Sequence, residues 1–442
     1  MERLFGTDGI RGSYGRDLTP ELTRELGRAA VRVLAREHGR APTLLIGRDT
    51  RPSGPALEDA LVGGIVDAGG DVVLAGVVPT PAVAFLVAGL GIESGIVISA
   101  SHNQPGDNGI KFFDAGGFKL SDRLEGQIEE EMAAEPVGIG AGEVRALPPD
   151  APSYFDHVVG CADQALDGMR VVVDCGNGAA SGFAPDVLRK LGADVIAINA
   201  DADGSRINVG SGALHPEVVA EAVVALGAHA GVAHDGDADR ALFADQEGRV
   251  VDGDQVLAAC AVEMKDRGTL TSDTVVATVM ANVGFHRAMD EHGIGVVSAP
   301  VGDRFVLERM LERDLALGGE QSGHLIFREH ATTGDGLITA VRFLSLAAAR
   351  EVSIGQLASV MRRFPQVLIN VEVAHKERLD GAEEVWEAVR AGEARLDGTG
   401  RVLVRASGTE PLVRVMVEAE TEEIARGHAE ALAGVVARAL AR

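Results

Sequence analysis

The sequence predicts an α/β protein: three related α/β domains with mixed, mostly parallel sheets, then a smaller C-terminal α+β domain. Three observations predict it. The chain has 442 residues, more than one hydrophobic core ordinarily serves. A β-branched run, a loop, a helix-period segment, a glycine and a second β-branched run recur three times. Beyond residue 364 strands and helices no longer alternate in that way.

The first copy is TLLIGRDTRPSGPALEDALVGGIVDAGGDVVLAG (43–76), the second MRVVVDCGNGAASGFAPDVLRKLGADVIAIN (169–199), the third DTVVATVMANVGFHRAMDEHGIGVVSAP (273–300). Each reads as a βαβ unit, which requires parallel strands and a right-handed crossover. Three in series imply three related domains. In the last part VLINVEV (367–373), RVLVRA (401–406) and LVRVMVEA (412–419) read as strands, and AEEVWEAVRAG and EEIARGHAEALAGVVARAL as helices. That arrangement suggests antiparallel pairing. The expected domains are 1–150, 151–250, 251–364 and 365–442, with joins near LPPDAPS (147–153), DQEGRVVDGDQ (245–255) and RRFPQ (362–366).

The formal net charge is −25. It excludes a nucleic-acid or anionic-membrane surface, because those are bound by basic patches. A small anion needs only a local arginine cluster and stays open. The three cysteines form no CxxC pair, as single buried thiols in a reducing cytoplasm would. The N-terminal MERLFGTDGIRG has no signal-peptide apolar core, and no apolar run reaches transmembrane length. Five lysines stand against 36 arginines.

Four loops carry candidate chemistry. In ISASHNQPGDNGIKFF (98–113) Ser101 follows a buried-strand pattern, so it lies at a strand's carboxyl end, where open α/β sheets place their sites. A nucleophile elbow needs G-x-S-x-G, and S-A-S-H-N does not fit. Adjacent side chains of an extended segment point apart, so His102 is expected to be badly placed as a base for Ser101. A structural turn serine remains the alternative. In HDGDADRALF (234–243) Asp235, Asp237 and Asp239 alternate and would share one face of an extended segment. Such a cluster suits a hard cation with oxygen ligands. An EF-hand is rejected, since Arg240 and Gln246 stand where its glycine and glutamate belong; a solvated acidic turn is the other reading.

In LGGEQSGHLIF (317–327) Glu320, Ser322 and His324 alternate and could read sugar hydroxyls; an incidental hairpin turn explains them as well. In RVLVRASGTEPLVRVMVEA (401–419) two strands flank a loop offering Arg405, Ser407, the Gly408 amide, Thr409 and Arg414. A glycine turn makes an anion nest and arginine forks onto phosphate; an ordinary hairpin is the alternative. CGNGAASG (175–182) has GxGxxxG spacing and is a weak match to a dinucleotide fingerprint.

A hydroxyl nucleophile, a hard-metal site, a sugar loop and a phosphate loop together suit phosphotransfer on a sugar phosphate. At this point the chain resembles the α-D-phosphohexomutase family over essentially its whole length. FGTDGIRG (5–12), ISASHN (98–103), DNGIKFF (107–113), DGDADR (235–240), VGDR (301–304), GGEQSGH (318–324) and RASGTEP (405–411) carry the resemblance. FGTDGIRG and the glutamine of GEQSGH favour the branch acting on glucosamine phosphates over phosphomannomutase/phosphoglucomutase relatives. The resemblance implies that Ser101 is carried as phosphoserine and that Asp235, Asp237, Asp239 and a phosphoserine oxygen hold one Mg²⁺. It implies interconversion of glucosamine 6-phosphate and glucosamine 1-phosphate through glucosamine 1,6-bisphosphate, which also primes the enzyme. It gives Glu320 and Ser322 the sugar hydroxyls, and Arg405, Ser407, Gly408, Thr409 and Arg414 the distal phosphate. Arg11 and Lys111 fall near the reacting groups, while His102, His324, Arg240, Asp303 and Arg304 match family positions with less defined roles. Gln104 departs from the family's SASHNP. Expected partners are a small sugar phosphate and a second copy in a homodimer. A sugar-phosphate sensor on the same scaffold is the non-enzyme alternative.

Overall fold

The protein is seen in a computed structural model that describes residues 4–6, 8–133, 140–201, 203–407 and 411–441. It forms two compact units. One is Met1–Met280 with Gly293–Val360, and the other is Ala281–His292 with Met361–Arg442.

The larger unit holds three sheets. The first contains β1 (Ile10–Ser13), β2 (Thr43–Arg48), β3 (Asp71–Val77), β4 (Ser94–Ile98), β5 (Asp107–Asp114) and β6 (Val144–Ala146), in the order β1-β5-β4-β2-β3-β6. β2 pairs parallel with β3 and β4, whereas β5 runs antiparallel to β1 and β4. All five residues of β4 are buried, as its unbroken apolar run requires of a strand covered on both faces. The helix Pro20–His38 begins where the Thr19 side chain accepts from the Leu22 N–H, and it ends at left-handed Gly39.

The second sheet contains β7 (Arg170–Asp174), β8 (Asp194–Ile198), β9 (Ala230–His234), β10 (Ala241–Asp245) and β11 (Val250–Val251), ordered β11-β10-β9-β7-β8. The third contains β12 (Thr274–Thr278), β13 (Gly295–Ala299), β14 (Leu317–Gly319) and β15 (Leu325–Phe327), ordered β13-β12-β14-β15. β2/β3, β7/β8 and β12/β13 are each parallel, so all three repeats fold as the expected βαβ strand pairs. Each sheet also carries an antiparallel pair, which makes all three mixed. DQEGRVVDGDQ folds as the β10–β11 hairpin, and Asp252 then caps the helix Gly253–Asp266 in a capping box with Gln255.

The smaller unit is built on β16 (Gln366–Glu372), β17 (Arg401–Ala406) and β18 (Leu412–Glu418), ordered β16-β18-β17 and wholly antiparallel. Val413, Val415 and Val417 alternate along β18 and are fully buried. Helices Glu383–Leu396 and Glu422–Ala439 follow β16 and β18 and add Val385, Val389, Leu432 and Val436 to the same core. The three cysteines are free and buried, and burial pushes each thiol up to about 12. Among the described residues no helix is long and apolar enough to cross a membrane.

Candidate active site

Three loops of the larger unit each leave the carboxyl end of a strand: Ser101 beyond β4, Asp235 beyond β9 and Glu320 beyond β14. Ser101 is fully buried and left-handed, at φ 48°. Its Oγ donates to Asp235 Oδ2 at 2.7 Å and lies 3.3 Å from His102 Nδ1. The expected separation of Ser101 and His102 therefore fails. It assumed extended backbone, and a left-handed residue turns the two side chains toward each other. Burial, with the Arg240 and Arg11 charges, pulls the His102 ring down to about 4, so it is neutral at pH 7.

Asp235, Asp237 and Asp239 are buried, and a ligand oxygen from each lies within 4.8 Å of the others. They converge as expected but by another route. Residues 235–240 are a turn rather than a strand, with Ala238 left-handed at φ 57°. Burial and the two neighbouring carboxylates push Asp235 well above the usual carboxylate range. Burial would raise Asp239 also, but His324, Lys111 and Arg240 outweigh it and hold that carboxyl well below its usual range. Asp237 Oδ1 and Asp239 Oδ1 are buried without a hydrogen-bond partner. Buried carboxylate oxygens left unpaired and crowded together fit a hard divalent cation, which takes oxygen ligands and removes the repulsion.

Cationic side chains face this cluster. Lys111, on β5, is 3.1 Å from Asp237 Oδ2, 3.8 Å from Asp239 Oδ2 and 3.0 Å from Asp8 Oδ2. Burial would lower it, but Asp237, Asp8 and Asp239 raise it far above the usual lysine value. Asp8 also pairs with Arg11 and with Lys119, and Lys119 reaches on to Asp303. Thr80 donates its hydroxyl to Asp237 Oδ2 at 2.7 Å and its N–H to the Asp237 carbonyl at 2.9 Å. Asp8, Lys119 and Thr80 were not among the expected site residues. Lys119 had one signal, its being one of five lysines in an arginine-rich chain, and Asp8 lies inside FGTDGIRG; Thr80 had none.

GEQSGH is the turn of the β14–β15 hairpin, so the hairpin reading holds and its polar side chains are used as well. Glu320, Ser322 and His324 line a cavity of about 560 Å³, together with Arg11, Arg240 and Asp303. The Glu320 carboxylate accepts from the Gly302 N–H at 3.1 Å. His324 Nε2 accepts from the Gly334 N–H at 3.2 Å, and its Nδ1 faces Asp239 at 3.7 Å. Arg240 lies 3.7 Å from Asp239 and 3.8 Å from Asp235. Arg304 does not line the cavity; it pairs with Asp122 at 2.8 Å and Glu308 at 3.1 Å. The Gln104 side chain is exposed, and the turn uses only its carbonyl, which accepts from Arg51 and from the Asp107 N–H. A non-proline residue therefore serves there.

The phosphate-loop candidates belong to the smaller unit. Gly408 and Thr409 lie outside the described residues. Arg405 and Arg414 stand opposite each other on β17 and β18. Burial and the facing Arg414 charge lower the Arg405 guanidinium, as expected of a like pair that an anion would relieve. The Ser407 N–H donates to the Leu412 carbonyl at 2.9 Å, and Lys376 Nζ donates to the Ser407 carbonyl at 2.7 Å.

Four signatures of the phosphoglucomutase/phosphomannomutase family match the chain: alpha/beta/alpha domain I over residues 2–137, domain II over 152–248, domain III over 252–364 and the C-terminal domain over 368–435. The phosphoglucosamine mutase of Frankia casuarinae is 54% identical, covering 100% of this chain and 99% of the relative. That of Thermobifida fusca is 50% identical, covering 99% and 98%. The crystal structure of a phosphoglucomutase/phosphomannomutase family protein from Burkholderia thailandensis superposes with a TM-score of 0.83 at 26% identity, covering 99% of this chain and 98% of that one.

Proposed function

The chain belongs to the phosphoglucomutase/phosphomannomutase family, and on that premise we propose that it interconverts glucosamine 6-phosphate and glucosamine 1-phosphate. The observation that carries the reading is the Ser101 hydroxyl, held 2.7 Å from one of three buried carboxylates beside a sugar-sized cavity.

Ser101 Oγ carries a phosphoryl group. The sugar O1 attacks that phosphorus, the Oγ–P bond breaks, and glucosamine 1,6-bisphosphate forms. The bisphosphate turns over in the cavity, Oγ attacks its 6-phosphorus, the O6–P bond breaks with the hydroxyl proton ending on O6, and glucosamine 1-phosphate leaves. Asp235, Asp237 and Asp239 would hold one Mg²⁺, which supplies charge neutralisation on the transferring group when bound. Lys111 and Arg11 carry charge toward the reacting oxygens, with Lys111 kept protonated by its acidic neighbours. His102 stands beside Oγ as a neutral ring. Glu320, Ser322 and His324 read the sugar. Arg405, Ser407, Gly408, Thr409 and Arg414 take the phosphate that is not transferred. Arg240 and Asp303 support these groups through their ion pairs, and Arg304 contributes its backbone N–H, which donates to Asp303 Oδ1 at 2.7 Å. The domains are taken as 1–150, 151–250, 251–364 and 365–442. The product feeds amino-sugar nucleotide and cell-wall synthesis in the cytoplasm, and the chain works as a homodimer.

The test is turnover by phosphorylated protein of glucosamine, glucose and mannose 6-phosphates with Mg²⁺ and a bisphosphate primer. Faster turnover of the glucose or mannose phosphate would replace this substrate by the phosphoglucomutase or phosphomannomutase one. No turnover of any would leave a sugar-phosphate sensor.

A further inference from the structure

A side chain is disfavoured in the left-handed region, so a serine held there needs surroundings that impose the conformation. Here they act on the peptide groups of residue 101. Arg51, just beyond β2, donates Nη2–H to the Ser101 carbonyl at 3.0 Å. Asn208, on the connection from β8 to β9, donates Nδ2–H to the same oxygen at 2.8 Å. Both also reach the Asn103 carbonyl, at 2.8 and 3.1 Å. Arg51 has no exposed surface. Its Nε pairs with Asp49 Oδ2 at 2.9 Å, and its Nη1 donates to the carbonyls of Gln104 and Asp107. Asp49 accepts the Ser99 hydroxyl at 2.6 Å, and Ser99 Oγ accepts the Ser101 N–H at 2.9 Å. Gly236, inside the carboxylate turn, closes the seat: a β-carbon there would lie 2.6 Å from the Ser101 carbonyl oxygen.

We propose that Arg51 and Asn208 are positioning residues for phosphoryl transfer, gripping the Ser101 carbonyl from two domains so that Oγ points into the carboxylate cluster. The proposal rests on the phosphoserine reading above. Neither residue lines the cavity, so they set where the phosphoryl group is presented and leave sugar binding alone. Releasing the grip lets residue 101 relax to ordinary backbone and swings Oγ away from Asp235.

The test uses the full chain. Asn208→Gly deletes the amide and suits a backbone already at φ 58°. Arg51→Lys keeps a charge beside Asp49 but lacks the planar fork that reaches four carbonyls. Phosphate uptake by Ser101 from a hexose 1,6-bisphosphate is followed by intact mass, and kcat and KM are measured separately. In both variants uptake and kcat should fall about 10- to 100-fold, with KM within about twofold of the unmodified chain. Thr50→Val is the control, since it removes a buried bond to the Asn177 carbonyl of 2.6 Å without touching the serine loop; its kcat should hold. Unchanged kcat and uptake, a rise in KM in place of the fall in kcat, or an equal loss in Thr50→Val would each overturn the proposal. Should Arg51→Lys not fold, Asn208→Gly decides alone. If the unmodified chain takes up phosphate but does not turn over glucosamine phosphate, the sugar assignment fails and the uptake rates still judge the grip. If its Ser101 never takes phosphate, both readings fall.

Discussion

Ser101 Oγ and Asp235 Oδ2 are joined by a 2.7 Å hydrogen bond across 134 residues of sequence. The contact seats a hydroxyl on a carboxylate that burial and two like charges push toward its neutral form. A phosphoryl group on that oxygen adds about −1.5 to −2 charges and three acceptor oxygens, which a divalent cation at the cluster would offset.

Ser101→Ala should carry no phosphate by intact mass and should lose turnover by about 10³-fold or more, since the group that accepts and returns the phosphoryl is gone. Ser101→Gly should be equally inactive. It should also be more stable than Ser101→Ala by about 1 kcal/mol, because glycine alone occupies φ 48° without a β-carbon penalty. Thermal unfolding of the two variants checks the difference.

Mg²⁺ should stabilise the unmodified chain, by about 2.7 kcal/mol at a hundredfold excess over its Kd. Asp237→Ala should lose most of that shift. Its Oδ1 is one of two buried carboxylate oxygens in the cluster that have no hydrogen-bond partner. Melting curves with and without Mg²⁺ read this independently of activity. An unchanged shift in the variant would remove Asp237 from the ligand set.

Much of this arrangement was legible in the sequence, and the exceptions have physical causes. The parallel pairs β2/β3, β7/β8 and β12/β13 follow from strand–helix–strand periodicity, which is local. The carboxylate cluster was found because its three aspartates lie within five residues. Its geometry was misread as strand alternation, because left-handed Ala238 leaves no mark in the sequence. Ser101 and His102 were separated for the same reason. Thr80 and Arg51 reach the site only through the packing of segments far apart in the chain, and no short motif encodes that.

Arg405 and Arg414 face each other across β17 and β18. A phosphate bound there would relieve that opposition, and a charge-assisted hydrogen bond contributes about 1.5–3 kcal/mol. Arg414→Ala should therefore raise KM for the sugar phosphate about 10- to 100-fold, with a smaller change in kcat. Inorganic phosphate should stabilise the unmodified chain more than the variant. A fall in kcat at constant KM would assign this arginine to the reacting phosphate.

Lys119 bridges Asp8 of the first domain and Asp303 of the third. Lys119→Met takes the nearest cation from part-buried Asp303, while Asp8 keeps Arg11 and Lys111, and should cost about 1–3 kcal/mol. Adding Asp303→Asn should recover part of the loss, with a coupling of about 1–3 kcal/mol between the two positions. Denaturant unfolding of the four chains of this cycle measures it. Additive losses would mean that the contact is incidental.

Asp335 gives a pH dependence away from the reacting groups. It caps the helix Gly336–Arg350 and accepts the Tyr154 hydroxyl at 2.8 Å. Burial raises its carboxyl to about 6, against the lowering effect of the Ile338 N–H and the Tyr154 hydroxyl. The folded chain therefore binds this proton more tightly than the unfolded chain, whose aspartate titrates near 3.9. The resulting stabilisation is whole below about pH 4 and is lost as pH rises through about 6. The two-unit gap is worth roughly 3 kcal/mol. Asp335→Asn keeps a capping oxygen and removes the titration. The stability of the unmodified chain, measured relative to Asp335→Asn, should thus fall by about that amount between pH 4 and pH 7. A difference that stays flat, or grows with pH, would mean that folding does not raise the Asp335 carboxyl above its unfolded value.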